Sequence, residues 1–367
     1  MRQPRVIISG GGTGGHIFPA VAIAQEIKAR YPEADILFVG AKGRMEMERV
    51  PKAGFPIEGL WISGIQRKLT LKNLIFPLKL ISSLWKARQI VSRFKPDAAI
   101  GTGGYASGPL LRAAAAKGVP TLIQEQNSFP GITNKWLAPK VNKICVAYDG
   151  LERFFPKEKM VFTGNPVRQG LDKQSLAQKE AKERLGFDPD KPLILSLGGS
   201  LGARAINEAL GAWSKDWLLE GIQIYWQAGK GYYPELSKQW KGAENLLLTE
   251  FIDDMPLAYA AADLIISRAG AGTISELCLV GKPVILIPSP NVAEDHQTKN
   301  ALSLSEKRAA ILIREKDLPM ALKTEVERWH NQPASFAGYR NEISRLAMPQ
   351  ATAQIVDELE KIWRYEG

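Results

Sequence analysis

The chain holds 367 residues, too many for one ordinary hydrophobic core, so two domains are the starting expectation. Its 45% hydrophobic and 23% charged residues are ordinary for a soluble globular protein, and its formal net charge of +10 suggests an anionic partner: nucleic acid, a phosphorylated ligand or an acidic membrane surface. Two cysteines, Cys145 and Cys278, both in apolar stretches, exclude a disulfide framework or a zinc-binding spacing and point to a reducing compartment.

The N-terminal "MRQPRVIISG" lacks the apolar core of a secretory signal. No uninterrupted apolar run approaches the roughly 18 residues that span a bilayer. The expectation is a cytoplasmic protein whose contact with a membrane is peripheral.

The first half offers seven strand-like runs in chain order: "RVIIS", "DILFVG", "PIEGLWI", "DAAIGTG", "PTLIQE", "KICVAY" and "MVFTG". Helical patterns separate them. Between the third and fourth lies "RKLTLKNLIFPLKLISSLWKARQIVSRFK", from Arg67 to Lys95. Here Leu71, Leu74, Leu78, Ile81, Leu84 and Trp85 recur at helical spacing and are expected to face the core. Phe76 and Leu80 fall outside that stripe among Lys72, Lys79, Lys86, Arg88 and Arg93, a mixture that suits an anionic bilayer surface or a solvated basic face. Pro77 should begin or kink the helix.

A seam follows "MVFTGNPVRQG", and five further strands come after it: "PLILSLGG", "IQIYWQAG", "NLLLTEF", "LIISRAG" and "PVILIPS". Apolar strands interleaved with helices indicate parallel sheets covered on both faces. The expected fold is α/β, with two Rossmann-like, doubly wound parallel-sheet domains facing a central cleft. The domains read as 1–163 and 164–340, with 341–367 an amphipathic C-terminal segment expected to return to the first domain.

Three glycine loops each follow a strand and open a helix: Gly10 to His16, "GTGGYASGP" from Gly101, and "GGSLGAR" from Gly198. Glycine lets a ligand approach the backbone, and helix N-termini attract anions. Ser200 adds a hydroxyl and Arg204 a cation. The spacing Gly10-x-Gly12-x-x-Gly15 matches a dinucleotide fingerprint, but the second strand ends in Gly40 with Lys42 beyond, so the expected ribose-binding carboxylate is missing.

A nucleotide sugar fits better. In "SRAGAGTISEL" the carboxylate of Glu276, early in a helix, can accept two hydrogen bonds from a ribose diol. In "NVAEDHQTKNA" the amides of Gln297 and Asn300 suit sugar hydroxyls, since an amide both donates and accepts. Of three histidines, His16 and His296 lie in the proposed ligand loops, and His330 is read as a surface residue.

Taken together, "GGTGGHIFPA", "GTGGYASGP", "QEQNSFPGITNK", "GNPVR", "GGSLGARAIN", "EFIDDM", "SRAGAGTISEL" and "EDHQTKNA" resemble the bacterial peptidoglycan N-acetylglucosaminyltransferases, from residue 6 to about residue 301. The resemblance implies a GT-B fold and transfer of GlcNAc from UDP-GlcNAc to the C4 hydroxyl of the N-acetylmuramoyl group of lipid I, with inversion, giving lipid II. It implies that Thr13, Gly14, Gly15 and Asn127 contribute to the substrate site, that Arg168 and Ser200 meet the diphosphate, and that the backbone of Ile252 meets the uracil. It further assigns Glu276 to the ribose and Gln297 to the sugar. It also implies a sugar contact for His296, at a position where some relatives carry glutamine. Gly103, Gly104 and Tyr105 would form the loop for the acceptor diphosphate.

His16 is the first candidate for the base that takes the hydroxyl proton, and Glu125 the second. No tightly bound cofactor is expected, and a divalent cation would act without being held by the protein. The implied partners are UDP-GlcNAc, lipid I and the anionic cytoplasmic face of the bacterial inner membrane, with no nucleic acid. The rival readings are another GT-B enzyme, such as a UDP-GlcNAc epimerase or a transferase to a different lipid, an NAD(P) oxidoreductase, and a basic scaffold without catalysis.

Overall fold

In the computed structural model, which describes residues 3–64, 75–167, 171, 176–199, 201–292 and 295–363, the alternating runs fold into two parallel sheets. The chain divides into two compact units, Met1–Arg168 with Met348–Gly367, and Gln169–Ala347.

The first unit runs β1 (Arg5–Gly10), α1 (Gly14–Arg30), β2 (Asp35–Ala41), α2 (Glu46–Lys52), β3 (Ile57–Leu60) and α3 (Phe76–Phe94). It continues with β4 (Ala98–Gly103), α4 (Ser107–Ala116), β5 (Thr121–Glu125), α5 (Ile132–Leu137), β6 (Lys143–Val146) and β7 (Met160–Phe162). Its sheet has the order β3-β2-β1-β4-β5-β6-β7, all parallel. Strand alternation sends Val6 and Ile8 to one face with Ile17, Ile23 and Ile27 of α1, and Ile7 to the other with Ile90 of α3 and Leu110 of α4. Both faces are therefore dry, which is why β1 reads as a continuous apolar run.

The second unit runs α6 (Gln178–Arg184), β8 (Leu193–Leu197), α7 (Arg204–Leu219), β9 (Gln223–Gln227), α8 (Tyr233–Gln239), β10 (Leu246–Thr249) and α9 (Met255–Ala261). It continues with β11 (Leu264–Ser267), α10 (Ala271–Val280), β12 (Val284–Leu286), α11 (His296–Ser305), β13 (Ile311–Leu312), α12 (Met320–Asn331) and α13 (Ala337–Arg345). The order β10-β9-β8-β11-β12-β13, again parallel, is the 3-2-1-4-5-6 arrangement of a dinucleotide-type fold. The sixth strand, β13, has no counterpart among the strands read from the sequence. It is two residues long and too short to show a period.

Three expectations need correction. The first unit extends to Arg168 rather than 163. Thr163 N and Gly164 N still donate to Val146 O of β6, and Gly164 sits so tightly on the returning chain that a Cβ there would lie 2.7 Å from Met348 Sδ. The second unit keeps residues up to Ala347 rather than 340, because Ile343 of α13 belongs to the core around α10. The returning segment is then α14 (Ala351–Glu360), whose Ile355, Val356 and Leu359 pack with the apolar face of α1. Arg30 of α1 pairs with Asp357 at 2.6 Å and Glu360 at 3.1 Å.

The third correction concerns α3. Phe76 and Leu80 pack against the core with Ala87, Ile90, Val91 and Phe94, whereas Leu78, Ile81 and Trp85 are 63–65% exposed. Leu71, Lys72 and Leu74 lie outside the described residues. The helix carries two apolar stripes, both at helical spacing, and periodicity does not say which one meets the sheet. Pro77 stands in the first turn, where its missing N–H costs nothing.

Candidate active site

Strand order reverses between β1 and β4, so the loops at their carboxyl ends meet. Gly11 N donates to Gly103 O at 3.3 Å, and Gly104, at φ +89°, leaves no room for a Cβ against the backbone of Gly11. Thr13, extended and exposed, precedes α1 without a side-chain cap, and Gly14 is the first helical residue. The opening amides of α1 are thus available to an anion. Tyr105 is exposed at the tip of the second loop and covers Gly64.

His16 is half-buried in the first turn of α1. Its Nδ1 lies 2.9 Å from Gln126 Oε1, and its carbonyl accepts from Thr102 Oγ1 at 2.7 Å. Gly103, at φ +107°, passes so close that a Cβ would lie 2.7 Å from Nδ1.

One residue of this region escaped the sequence reading. Glu46, buried in the first turn of α2, accepts from Gly12 N at 2.9 Å and from Ala41 N at 3.0 Å. A carboxylate therefore does stand just past the second strand, but it faces inward and ties the glycine loop to β2. The Gly12 amide is spent on Glu46, so the first loop offers an anion its helix-opening amides rather than its whole turn. A pyrophosphate against Gly12 would also meet this charge, which speaks against a dinucleotide there.

The structure corrects Glu125 as a candidate base. Its carboxylate is buried and accepts from Asn127 N (3.0 Å), Asn127 Nδ2 (3.3 Å), Gly131 N (3.1 Å) and Asn134 Nδ2 (2.9 Å). Both oxygens are committed to shaping the loop that carries Asn127, so none is left to take a proton from a substrate.

In the second unit the reversal falls between β8 and β11. The loop after β8 touches the loop after β9 through Gly202 and Gly229, both at positive φ and too close for a Cβ on either. The loop after β11 opens α10, whose N-terminus at Gly270 has no side-chain cap. Glu276 is buried in the second turn of α10, and its Oε2 accepts from Tyr259 OH at 3.0 Å. Ile252, just past β10, is buried in the same apolar cluster as Tyr259. Gln297 Oε1 accepts from Ser289 N at 2.9 Å, and His296 begins α11 half-buried. Asn300 is fully buried and donates to Ala269 O at 3.4 Å, tying α11 to the loop that opens α10. The fold thus sets Glu276, His296 and Gln297 beyond the carboxyl ends of the adjacent strands β11 and β12, and Ile252 beyond that of β10, the edge strand of the same sheet. Arg168 and Ser200 lie outside the described residues.

Comparison with known proteins places these features. Residues 6–146 match the glycosyltransferase family 28 N-terminal domain and residues 193–354 the glycosyltransferase family 28 C-terminal domain. A Cytophaga hutchinsonii protein is 57% identical over 98% of this chain and 96% of its own, and one from Flavobacterium psychrophilum 55% identical over 99% and 98%. Both carry the name UDP-N-acetylglucosamine--N-acetylmuramyl-(pentapeptide) pyrophosphoryl-undecaprenol N-acetylglucosamine transferase. The crystal structure of Acinetobacter baumannii MurG superposes with a TM-score of 0.75 at 31% identity, covering 98% of this chain and 100% of that one. A UDP-N-acetylglucosamine 2-epimerase superposes with a TM-score of 0.60 at 16% identity, covering 98% of this chain and 96% of its own, a likeness of fold alone. The chain, a two-domain GT-B protein, belongs to glycosyltransferase family 28 and within it to the MurG family.

Proposed function

We propose that this protein moves GlcNAc from UDP-GlcNAc to the N-acetylmuramoyl group of lipid I, giving lipid II. The observation that carries this reading is identity of 55–57% to the two named transferases over nearly the whole of each chain. Donor binding falls to the second unit. There the buried Glu276 takes the ribose diol, oriented by Tyr259, and the backbone of Ile252 meets the uracil. Gln297, with its carbonyl held by Ser289 N, presents its amide N–H groups to the sugar, with His296 beside it. Arg168, Ser200 and helix N-termini take the charge that develops on the leaving diphosphate. A divalent cation brought by the diphosphate is compatible with this reading, which needs none held by side chains.

The first unit supplies the acceptor side. Gly103, Gly104 and Tyr105 with the opening amides of α1 suit the acceptor diphosphate, and Thr13, Gly14, Gly15 and Asn127 line the same end of the sheet. His16 is the base. It takes the C4 hydroxyl proton as that oxygen displaces UDP from the anomeric carbon, so configuration inverts. The exposed stripe Ile75, Leu78, Ile81 and Trp85, beside Lys79 and Arg88, rests on the anionic cytoplasmic face of the inner membrane, where a polyprenyl acceptor resides. No described helix is long and apolar enough to cross a membrane.

The test is incubation with UDP-GlcNAc and a short-chain lipid I analogue, followed by mass spectrometry. The expected product is the acceptor plus one N-acetylhexosamine. Conversion of UDP-GlcNAc to another sugar nucleotide without acceptor would favour an epimerase and overturn the reading.

A further inference from the structure

We propose that Gln126 sets the tautomer of His16, and so decides which imidazole nitrogen carries the lone pair. The inference deepens the reading of His16 as the base and rests on it. Gln126 follows β5 and is 1% exposed. Its Nε2 faces only oxygens: Thr102 O at 2.8 Å, Gln124 O at 3.1 Å, and Gln124 Oε1 closer still. Turning the amide over would set oxygen against oxygen at all three contacts, so the chemistry of the pocket assigns its orientation. Oε1 then points to His16 Nδ1, 2.9 Å away. An amide oxygen can only accept, so Nδ1 carries the hydrogen. In the neutral ring Nε2 is left bare.

The arrangement is held from behind. Asn165 Nδ2 donates to Gln126 O at 3.1 Å, and Gln124 Nε2 donates to Asn165 Oδ1 at 3.0 Å. Both residues are buried. A free imidazole in water favours the opposite tautomer, with hydrogen on Nε2, which cannot take a proton there.

In the reaction the acceptor oxygen bonds to the anomeric carbon and loses its proton to Nε2. The bond from that carbon to the diphosphate breaks, and its electron pair leaves with UDP. The imidazolium keeps its Nδ1–H bond to Gln126 Oε1, which becomes charge-assisted in that state. Gln126 acts through His16 and is a positioning residue.

The test is nuclear magnetic resonance of protein labelled with ¹⁵N-histidine. With three histidines in the chain, the His16→Ala spectrum assigns the His16 signals. With the ring neutral, the expected result is a protonated Nδ1 and a pyridine-like Nε2. Hydrogen on Nε2 in the unaltered protein would overturn the proposal without any variant having to fold. In Gln126→Met the tautomers should mix, and kcat should fall about tenfold, a fraction of what a positioned base contributes, with the KM for UDP-GlcNAc within about two-fold. A Gln126→Met protein that keeps both the Nδ1–H tautomer and full kcat would also overturn it. The base reading fails separately: unchanged turnover in His16→Ala removes His16 as the base and leaves the tautomer result standing.

Discussion

Placing a methyl group on Gly103 should damage stability and turnover through one contact. At φ +107° an alanine is strained by about 1–2 kcal/mol. Its Cβ would also stand 2.7 Å from His16 Nδ1 and 2.8 Å from Cε1, well inside contact distance. The ring has to move, which breaks the 2.9 Å bond to Gln126 Oε1. That loss contributes about 1 kcal/mol. Gly103→Ala should therefore cost about 2–3 kcal/mol, or roughly 4–12 °C in melting temperature for a unit of this size. In a His16→Ala background the collision is gone and only the strain of about 1–2 kcal/mol should remain. Turnover should fall between tenfold and a hundredfold in Gly103→Ala, on the order of a displaced general base, and the double variant should be no slower than His16→Ala alone. Thermal unfolding and initial rates on the four proteins measure both halves of the cycle. Equal destabilisation in the two backgrounds, or unchanged kcat in Gly103→Ala, would refute the packing of His16 against this glycine.

Glu276→Ala should raise the dissociation constant for UDP-GlcNAc roughly 30-fold, about 2 kcal/mol for lost charge-assisted bonds; calorimetry showing unchanged binding would take Glu276 out of the donor site. Burial pushes the thiols of Cys145 and Cys278 up to about 12, with Glu358 adding to the effect at Cys145. Neither should react with iodoacetamide at pH 8 until the protein is denatured. Because unfolded thiols ionise near 9, this protonated burial contributes stability below pH 9 that is lost between about 9 and 12, visible as a falling urea midpoint over that window. Ile81→Glu with Trp85→Glu should leave the fold within about 0.5 kcal/mol, since both side chains face outward. The same pair should abolish sedimentation with anionic vesicles, and undiminished binding would place the membrane contact elsewhere.

Local pattern was enough to locate much of this protein. Continuous β-branched runs announce strands buried on both faces, and glycines at strand ends announce loops that a ligand can approach. Their recurrence in the two halves marks two sheets of the same kind. What no local pattern contains is the partner of each polar group. Glu46 looks like an exposed helix-start acid until β1 and β2 are paired, which brings Gly12 N and Ala41 N to the same carboxylate. Glu125 looks free to act as a base until the following loop folds back and fills both of its oxygens. Gln126 reads as one member of a polar triplet, and only the neighbouring of β1, β4 and β5 sets it between the Thr102 carbonyl and His16, 110 residues away in the chain. On α3 both stripes satisfy a helical period, and the sheet chose Phe76 and Leu80 over Leu78 and Ile81. Periodicity records what a backbone prefers over one or two turns; which carboxylate is consumed, which imidazole nitrogen is bare and which apolar face stays wet depend on strand order, and that exists only once the chain has folded.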